Sequence, residues 1–245
     1  RRVVVRDAVV VGIGEEAGIR VNSSHLKASG KPNWGSMNEA ILLMKAARDN
    51  GIEITADMYP YDKSATTSLQ AIFNIPADME PFSQIRKELN QRDMDPQRRS
   101  QLYIDYSTAL AEALEKPEKR EKIREATEQG ISGQVNWVAK GGWTNFTIIH
   151  SETRPDMIGK MFCDLSQSEN RPEFDIAADL FITEKKSAVI SLSTMDESDV
   201  RLAMQQEFVM ISSDGNAVSP QSGHVHPRNY GSFTRVLRKY VREEG

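Results

Sequence analysis

The feature of this sequence that most constrains its fold is a strand–helix–strand pattern within about 40 residues. Alternating apolar and polar residues predict a short strand over 19–24. Apolar residues at helical spacing predict a helix over 36–50, which Gly51 ends. An apolar run over 52–58 predicts the next strand. Two strands joined by a helix pair in parallel through a right-handed crossover, so the chain belongs to the α/β class.

Strands and helices continue to alternate along the rest of the chain, with strands predicted at 146–150, 188–192 and 208–212 and helices at 174–184, 197–205 and 234–244. Each βα unit of an eight-stranded barrel needs about 30 residues, so five strands are too few to close one. A charge-rich, helix-forming stretch also interrupts the pattern from 82 to 129. The sequence therefore predicts a partial barrel with a helical insertion.

The predicted domain organisation has three segments. Residues 1–80 form a βαβ segment of the barrel that carries candidate site residues. Residues 81–140 form the helical insertion, placed like a lid, and residues 141–245 supply the remaining βα units. The chain starts without Met, so we expect an internal piece of a longer protein, and this sequence does not show whether that protein has a signal peptide.

Composition excludes several classes of protein. The 245 residues carry 31 basic and 35 acidic side chains, and no basic stripe with interleaved aromatics predicts nucleic-acid binding. No run approaches the roughly 18–20 apolar residues of a membrane span. The single cysteine, Cys163, excludes an internal disulfide framework and a cysteine-rich zinc site. A reducing, cytoplasmic location is the expectation.

Polar residues follow three of the predicted strands, where barrels of this class place their catalytic groups. His25 is suited to bind a metal ion or to fill a structural role, and Lys27 is suited to pair with an anion or to lie exposed. Tyr59 and Tyr61 are consistent with a pocket wall or with packing. Asp214 is consistent with a turn, a general base or a metal ligand.

A loop rich in Gly and Pro near the C-terminus carries three more candidates. His224 and His226 have a spacing that can bring two imidazoles to one zinc ion, although a loop does not guarantee a shared face. Arg228 offers a planar guanidinium that suits a carboxylate. No phosphate loop, dinucleotide glycine fingerprint or nucleophile elbow occurs, so nucleotide binding and serine hydrolysis are not predicted.

Four segments together resemble the N-acyl-D-amino-acid deacylases, or D-aminoacylases, of the metal-dependent amidohydrolase superfamily. They are Ser-His-Leu-Lys-Ala-Ser-Gly-Lys-Pro-Asn-Trp-Gly at 24–35, Asp-Met-Tyr-Pro-Tyr at 57–61, Ser-Asp-Gly at 213–215 and His-Pro-Arg-Asn-Tyr-Gly at 226–231. They occur in the order that the family has. The resemblance implies the C-terminal part of a TIM-like (β/α)8 amidohydrolase barrel.

The resemblance also implies roles for single residues. His25 matches a metal-binding histidine at a strand end. Asp214 matches an aspartate that binds metal, takes a proton from the zinc-bound water and passes it to the leaving amine. Lys27, Tyr59 and Arg228 match the groups that hold the substrate α-carboxylate.

Two further candidates flank a position where this sequence departs from the family. The family has a substrate-binding serine six residues after the first tyrosine of its Tyr-Pro-Tyr block, and here that position is Ala65. Its neighbours Ser64 and Thr66 are the candidates for this contact. His226 is expected to shape its loop, and His224 has no matching role.

The implied function is zinc-dependent hydrolysis of small N-acyl-D-amino acids to a D-amino acid and a carboxylate. Because the family's other metal ligands precede residue 1, we expect this chain alone to be an inefficient enzyme. The alternatives are a cyclic-amide amidohydrolase of the hydantoinase or dihydroorotase kind, and a non-catalytic barrel fragment. Open strand edges favour self-association.

Overall fold

A computed structural model of the chain describes residues 2–184, 187–219 and 225–245. The chain forms two compact units. The first unit comprises Arg1–Ala65 and Ser193–Gly245, and the second comprises Thr66–Leu192. The second unit is therefore inserted into the first along the chain.

The described residues form six strands and ten α-helices, followed by a π-helical turn. The strands are β1 (Val21–Ser23), β2 (Ile54–Met58), β3 (Lys63–Ser68), β4 (Phe146–His150), β5 (Val189–Ser193) and β6 (Val209–Ile211). The helices are α1 (Arg2–Ala17), α2 (Met37–Asp49), α3 (Phe82–Leu89), α4 (Pro96–Leu114), α5 (Pro117–Gln129), α6 (Trp137–Gly141), α7 (Phe162–Glu169), α8 (Glu173–Glu184), α9 (Glu197–Met204) and α10 (Arg228–Arg235). The π-helical turn is Val236–Glu243.

The first unit contains a parallel sheet with strand order β1–β2–β6. Val21 pairs with Ile54, and Ala56 pairs with Val209. This confirms the predicted βαβ unit, with α2 as its connection. The central strand β2 points Ile54, Ala56 and Met58 into the core. Burying a side chain the size of Ile or Met contributes roughly 1.5–3 kcal/mol, so this alternation determines the strand's register.

The helix α2 has the amphipathic pattern expected of a crossover helix. Its buried side chains are Met37, Ala40, Ile41, Met44 and Ala47, and the helix contacts α1, α9 and β2. It ends before Gly51, whose φ of 87° is costly for any residue with a β-carbon. The apolar face of α2 thus closes the core of the first unit over the parallel sheet.

The second unit contains a different sheet, with strand order β3–β5–β4. The strands β4 and β5 pair antiparallel, with Phe146 opposite Leu192 and Ile148 opposite Ile190. The expectation that these two strands continue the parallel βα pattern is therefore wrong. Strand pairing depends on contacts distant in sequence, and an apolar run has the same pattern in either orientation.

Five fully buried phenylalanines form much of the core of the second unit, and they are Phe82, Phe146, Phe162, Phe174 and Phe181. Around them pack the helices α3, α4 and α5, which confirm the predicted helical character of 82–129. Arg120 lies 2.8 Å from Asp175 and 2.9 Å from Asp179, and Arg124 also lies 2.8 Å from Asp175. These ion pairs join α5 to α8.

The sequence did not predict β3, through which the chain leaves the first unit. Its residues Lys-Ser-Ala-Thr-Thr-Ser are all half-buried and lack alternation between apolar and polar side chains. The last helical segment also begins earlier than predicted, at Arg228 rather than at 234. Across the described ranges, no helix is both long enough and apolar enough to cross a membrane.

Candidate active site at the ends of three parallel strands

The three parallel strands of the first unit end at one edge of their sheet. His25 follows β1, Tyr59 follows β2 directly, and Asp214 follows β6. Because parallel strands present their carboxyl ends on the same side, these three side chains start from one edge. The local sequence pattern predicted this placement, and the strand pairing agrees with it.

Two of these residues have an uncommon backbone conformation. His25 has a φ of 46° and Asp214 a φ of 43°, in the left-handed region that residues with a β-carbon seldom occupy. Such conformations cost about 1–3 kcal/mol and persist where neighbouring contacts impose them. Beside Asp214, a β-carbon at Gly215 would lie 2.7 Å from Asn229 Oδ1, and that same oxygen accepts a hydrogen bond from Asn216 N at 2.8 Å. The loop geometry at Asp214 thus requires glycine at position 215.

Asp57, to which the sequence analysis gave no role, joins the ends of all three strands. Its Oδ1 accepts a hydrogen bond from His25 N at 2.9 Å and one from Ser212 Oγ at 3.1 Å. Its Oδ2 accepts from Asn22 Nδ2 at 2.7 Å and from Ser24 Oγ at 2.8 Å. Burial alone would raise the pKa of Asp57, but these four donors outweigh burial and lower it. Asp57 is therefore an ionised carboxylate that holds the His25 turn in place.

A second set of contacts surrounds Tyr59, which is 2% exposed. Lys27 Nζ donates a hydrogen bond to Tyr59 Oη at 2.9 Å, and the same ammonium lies 4.7 Å from the ring centroid. The Arg228 guanidinium also lies 4.7 Å from this centroid. Burial raises the pKa of Tyr59 to about 12 although the Arg228 charge opposes the rise, so the phenol stays protonated at neutral pH.

Asp214 faces the same two cations. Its Oδ2 lies 3.1 Å from Arg228 Nη1 and 4.0 Å from Lys27 Nζ. The side chains are mostly buried, with 15% of Arg228, 17% of Lys27 and 32% of Asp214 exposed. Asp214 thus pairs with two cations, Lys27 and Arg228, at the ends of the parallel strands.

The predicted substrate contacts at Ser64 and Thr66 both stay predictions, and the structure shows where each residue lies. The backbone oxygen of Ser64 accepts a hydrogen bond from Arg228 Nη1 at 2.9 Å and one from Tyr59 Oη at 3.4 Å. Ser64 therefore lies beside the carboxylate-binding candidates and helps to orient two of them. Thr66 is the first residue of the second unit, and its substrate contact stays a prediction.

The loop after β1 carries Lys27 and is held to a fixed position in the first unit. Two groups donate to the backbone oxygen of Thr194: Gly30 N at 2.7 Å and Trp34 Nε1 at 3.0 Å. Gly35 N donates to Asp199 Oδ2 at 2.8 Å. The Gly, Trp and Gly of the first family-like segment thus anchor the loop, which is a structural role.

His226 has the loop-shaping role expected of it. Its Nε2 bonds to the backbone oxygen of Lys63 at 2.9 Å, and its Nδ1 accepts from the backbone N–H of Arg228 at 3.0 Å. Its ring packs edge-on against Tyr61 at 5.4 Å, so Tyr61 is a packing residue. Burial lowers the pKa of His226 to about 4, and the Arg228 charge adds to this effect. His224, the other half of the possible zinc pair, lies outside the described residues.

The number of possible metal ligands near one another shows whether the described residues could bind a zinc ion by themselves. A zinc site takes three or four protein ligands. Within the described ranges, no group of three or more His, Cys, Asp or Glu side chains is close enough to hold a metal ion. His25 and Asp214 supply one imidazole and one carboxylate, and Asp214 is engaged with two cations. The described donors alone do not form a zinc site.

The fold of this chain is similar to part of a solved structure. An N-acyl-D-glutamate deacylase from Bordetella bronchiseptica, complexed with zinc and a phosphonate inhibitor, aligns with 97% of this chain at a TM-score of 0.52. The two are 23% identical, and the match covers 34% of the deacylase chain. This chain therefore shares the mixed α/β fold of that part of the deacylase.

Two deacylases are similar to this chain in sequence. An N-acyl-D-glutamate deacylase of Alcaligenes xylosoxydans xylosoxydans is 25% identical over 234 residues, which is 96% of this chain and 33% of the relative. A D-aminoacylase of the same organism is 22% identical over 233 residues, which is 95% of this chain and 32% of the relative. No family model matches. The resemblance is confirmed: the chain is a homologue of the N-acyl-D-amino-acid deacylases and spans about a third of their length.

Proposed function

We propose that this chain is part of a metal-dependent amidohydrolase that cleaves the amide bond of N-acyl-D-amino acids. The products are a D-amino acid and a carboxylate. In this proposal the first unit supplies the C-terminal part of a (β/α)8 barrel, and the helices predicted within residues 81–140 belong to the inserted second unit. The observation that carries the proposal is the convergence of Lys27, Tyr59 and Arg228 beside Asp214.

The three convergent groups suit the α-carboxylate of the substrate. Arg228 offers a guanidinium whose planar N–H groups match a carboxylate. Lys27 offers a second positive charge, 4.0 Å from the Asp214 Oδ2 that Arg228 also contacts. Tyr59 stays a neutral phenol and thus a hydrogen-bond donor, because burial raises its pKa to about 12. A substrate carboxylate would pair with Lys27 and Arg228 in competition with Asp214 and orient the amide at a fixed distance from this anchor.

Asp214 is the candidate for proton transfer. It stands at the carboxyl edge of the sheet beside the proposed carboxylate site. As water adds to the amide carbon, the Asp214 carboxylate accepts a proton from that water. When the carbon–nitrogen bond breaks, the same proton passes to the departing nitrogen, and Asp214 returns to its ionised form.

The Bordetella relative contains zinc, which polarises carbonyl groups and lowers the pKa of bound water in enzymes of this type. His25 and Asp214 are the residues of this chain proposed to face such an ion. Since they supply only two donors, further ligands would have to complete the site, and no step of the proposal runs through the metal.

A matched pair of ligands tests the proposal. Calorimetric titration of the 245-residue chain with N-acetyl-D-leucine and N-acetyl-D-leucinamide compares molecules that differ only in the α-carboxylate. We expect the amide to bind at least about tenfold more weakly, because it cannot pair with Lys27 and Arg228. The Lys27→Met variant should lose most of this preference, whereas Lys45→Met, on the surface of α2, should keep it.

Other results would contradict the proposal. Equal binding of the acid and the amide would remove the carboxylate role. Tighter binding of hydantoin, which has no carboxylate, would favour the cyclic-amide alternative. Substantial release of D-leucine with added zinc would contradict the expectation that this chain alone is an inefficient enzyme.

A further inference from the structure

Arg228, whose guanidinium is proposed to bind the substrate carboxylate, is the first residue of the helix α10. The first backbone N–H groups of a helix have no acceptor within the helix, so neighbouring atoms must accept their hydrogen bonds. The backbone N–H of Arg228 donates to His226 Nδ1 at 3.0 Å. The imidazole of His226 therefore holds the main chain at the residue on which the proposed carboxylate site depends.

The two hydrogen bonds of the His226 ring define its protonation state. A backbone N–H can only donate, so Nδ1 is the unprotonated nitrogen that accepts from Arg228. A carbonyl oxygen can only accept, so Nε2 carries the proton that it donates to the backbone oxygen of Lys63 at 2.9 Å. The ring is thus the neutral Nε2–H tautomer, and neither nitrogen keeps a free lone pair for a metal ion.

Aromatic neighbours restrict the orientation of this ring. His226 is 4% exposed. Its ring meets the ring of Tyr61 edge-on, with 5.4 Å between centroids, and that of Tyr59 at 6.1 Å in the same kind of contact. Because packed interiors leave little free space, a ring with two edge-on contacts and two hydrogen bonds has one orientation.

Arg228 is connected to β3 at two points. Its Nη1 donates to the backbone oxygen of Ser64 at 2.9 Å, and its backbone N–H reaches the backbone oxygen of Lys63 through the His226 ring. Lys63 and Ser64 are consecutive residues of β3, and both belong to the first unit. The main chain and the side-chain tip of Arg228 are therefore both held by the start of one strand.

This double connection matters for the recognition of a carboxylate. An arginine side chain has several rotatable bonds, so a contact at its tip alone leaves the guanidinium free to change direction. Paired N–H donors match a carboxylate in one relative orientation, and a displacement of about 1 Å can cost an order of magnitude or more. Holding the backbone of Arg228 thus limits the directions that its guanidinium can take.

We propose that His226 is a positioning residue for carboxylate recognition, whose Nδ1 holds the backbone of Arg228 and thereby orients the guanidinium towards the substrate. This inference rests on the proposed function, since it assigns His226 no contact with the substrate and gives it an effect only through Arg228. The ring contributes an acceptor at a fixed place, which a different side chain can supply or omit.

Calorimetric titration with N-acetyl-D-leucine and N-acetyl-D-leucinamide tests the proposal in two variants. His226→Asn places Oδ1 where the histidine has Nδ1, so it keeps an acceptor for Arg228 and should retain the preference for the acid. His226→Gln has no acceptor at that position and should bind the acid about tenfold more weakly, with the affinity for the amide unchanged. The control His150→Gln, in β4 of the second unit, should bind both ligands as the wild type does.

A double variant tests whether His226 acts through Arg228. If it does, adding His226→Gln to Arg228→Met should not weaken binding of the acid beyond the effect of Arg228→Met alone. A further loss in the double variant would overturn the proposal. Equal weakening of acid and amide by His226→Gln would also overturn it, because a general disturbance of the fold does not select for the carboxylate.

The failure of this inference is distinguishable from that of the proposed function. Equal binding of acid and amide by the wild type would overturn both. A wild-type preference for the acid that persists in His226→Gln would overturn only the role of His226. NMR of the ring nitrogens in the wild type needs no variant to fold: a proton on Nε2 at pH 7 is expected, and a proton on Nδ1 would overturn the proposal.

Discussion

The two units of this protein contain clusters of buried charge that differ in balance. In the second unit, Arg120 contacts Asp175 and Asp179, Arg124 contacts Asp175 and Glu121, all at 2.8–3.0 Å, and Arg171 also pairs with Asp179, so three cations meet three carboxylates in these contacts. In the first unit, the ion pairs of Lys27 and Arg228 in the described part of the chain both go to one carboxylate, that of Asp214. The balanced cluster joins two helices, whereas the unbalanced one lies at the ends of parallel strands.

The difference indicates how a structural ion network can be told from a binding site. A structural network approaches neutrality because each buried charge needs an opposite charge to offset its lost hydration. A site for an anionic ligand keeps an excess of positive charge that the ligand itself neutralises. Position agrees with charge here, since the carboxyl ends of parallel strands are where α/β folds bind ligands.

The largest effect on stability is expected from Asp57→Ala. This change removes the acceptor for four donors at the strand ends, and hydrogen bonds to charged groups contribute about 1.5–3 kcal/mol each without adding fully. We expect the free energy of unfolding of the first unit to fall by about 2–3 kcal/mol in urea titrations. Asp49→Ala, at an exposed position of α2, should change it by less than about 0.5 kcal/mol. Equal effects would show that Asp57 does not organise this edge.

The Arg228→Met variant should bind N-acetyl-D-leucine more weakly than the wild type. Replacing the guanidinium by an uncharged side chain removes a charge-assisted contact, and the affinity for N-acetyl-D-leucine should fall about 10- to 100-fold in calorimetry. Arg238→Met is the control, because Arg238 is 80% exposed and pairs with Glu243. If Arg228→Met and Arg238→Met bind N-acetyl-D-leucine equally well, Lys27 and Arg228 do not form a carboxylate site.

Arg120→Met should show the opposite behaviour. Arg120 is 20% exposed, close to the 15% of Arg228, so the two variants are matched for burial. Loss of its bonds to Asp175 and Asp179 should lower the free energy of unfolding by about 1–2 kcal/mol and leave the affinity for N-acetyl-D-leucine unchanged. A loss of affinity here would remove the contrast between the two clusters.

The smallest expected effect is a pH dependence of stability that differs between the two units. The pKa of His226 is lowered from 6.5 to about 4 in the folded state, so the unfolded chain binds this proton more readily. Stability from this group is complete above pH 6.5 and is lost as the pH falls towards 4. Because solvent partly screens the ring, we expect a loss of about 1 kcal/mol by pH 5.

Glu184 in the second unit behaves differently over this range. Burial alone would raise its pKa, but hydrogen bonds from Ser151 and Thr153 lower it from 4.5 to about 2. Its contribution is therefore retained until the pH falls below 4.5. Lowering the pH from 6.5 to 5 should destabilise the first unit of the wild type, as measured by thermal unfolding. The His226→Gln variant should not show this pH dependence. A dependence that survives in the variant would exclude His226 as its source.

The parts of the fold that the sequence predicted are those that local patterns encode. The helix α2 and strands β1 and β2 follow from apolar periodicity and from the glycine after the helix. The strand β3 was missed because its polar residues carry no alternation. The antiparallel pairing of β4 and β5 was also missed, since pairing is set by contacts distant in the chain.

The residues of the candidate site were also only partly identifiable from the sequence. Lys27, Tyr59, Asp214 and Arg228 were identifiable because each stands at a strand end or in a recognisable segment, and the structure brings them together. The role of Asp57 was not, since three of its donors lie at the end of β1 and the fourth lies at the end of β6. An Asp at the end of a buried strand, two residues before Tyr59, was the available signal.

The most direct test of the central claim is calorimetric titration of N-acetyl-D-leucine into the wild type and the Asp214→Asn variant. Asp214 pairs with the same two cations that the substrate carboxylate would use. Removing its charge should therefore tighten binding, by about tenfold at low salt, while leaving proton transfer without its carboxylate. Unchanged or weaker binding by Asp214→Asn would contradict the assignment of Lys27 and Arg228 as the carboxylate site.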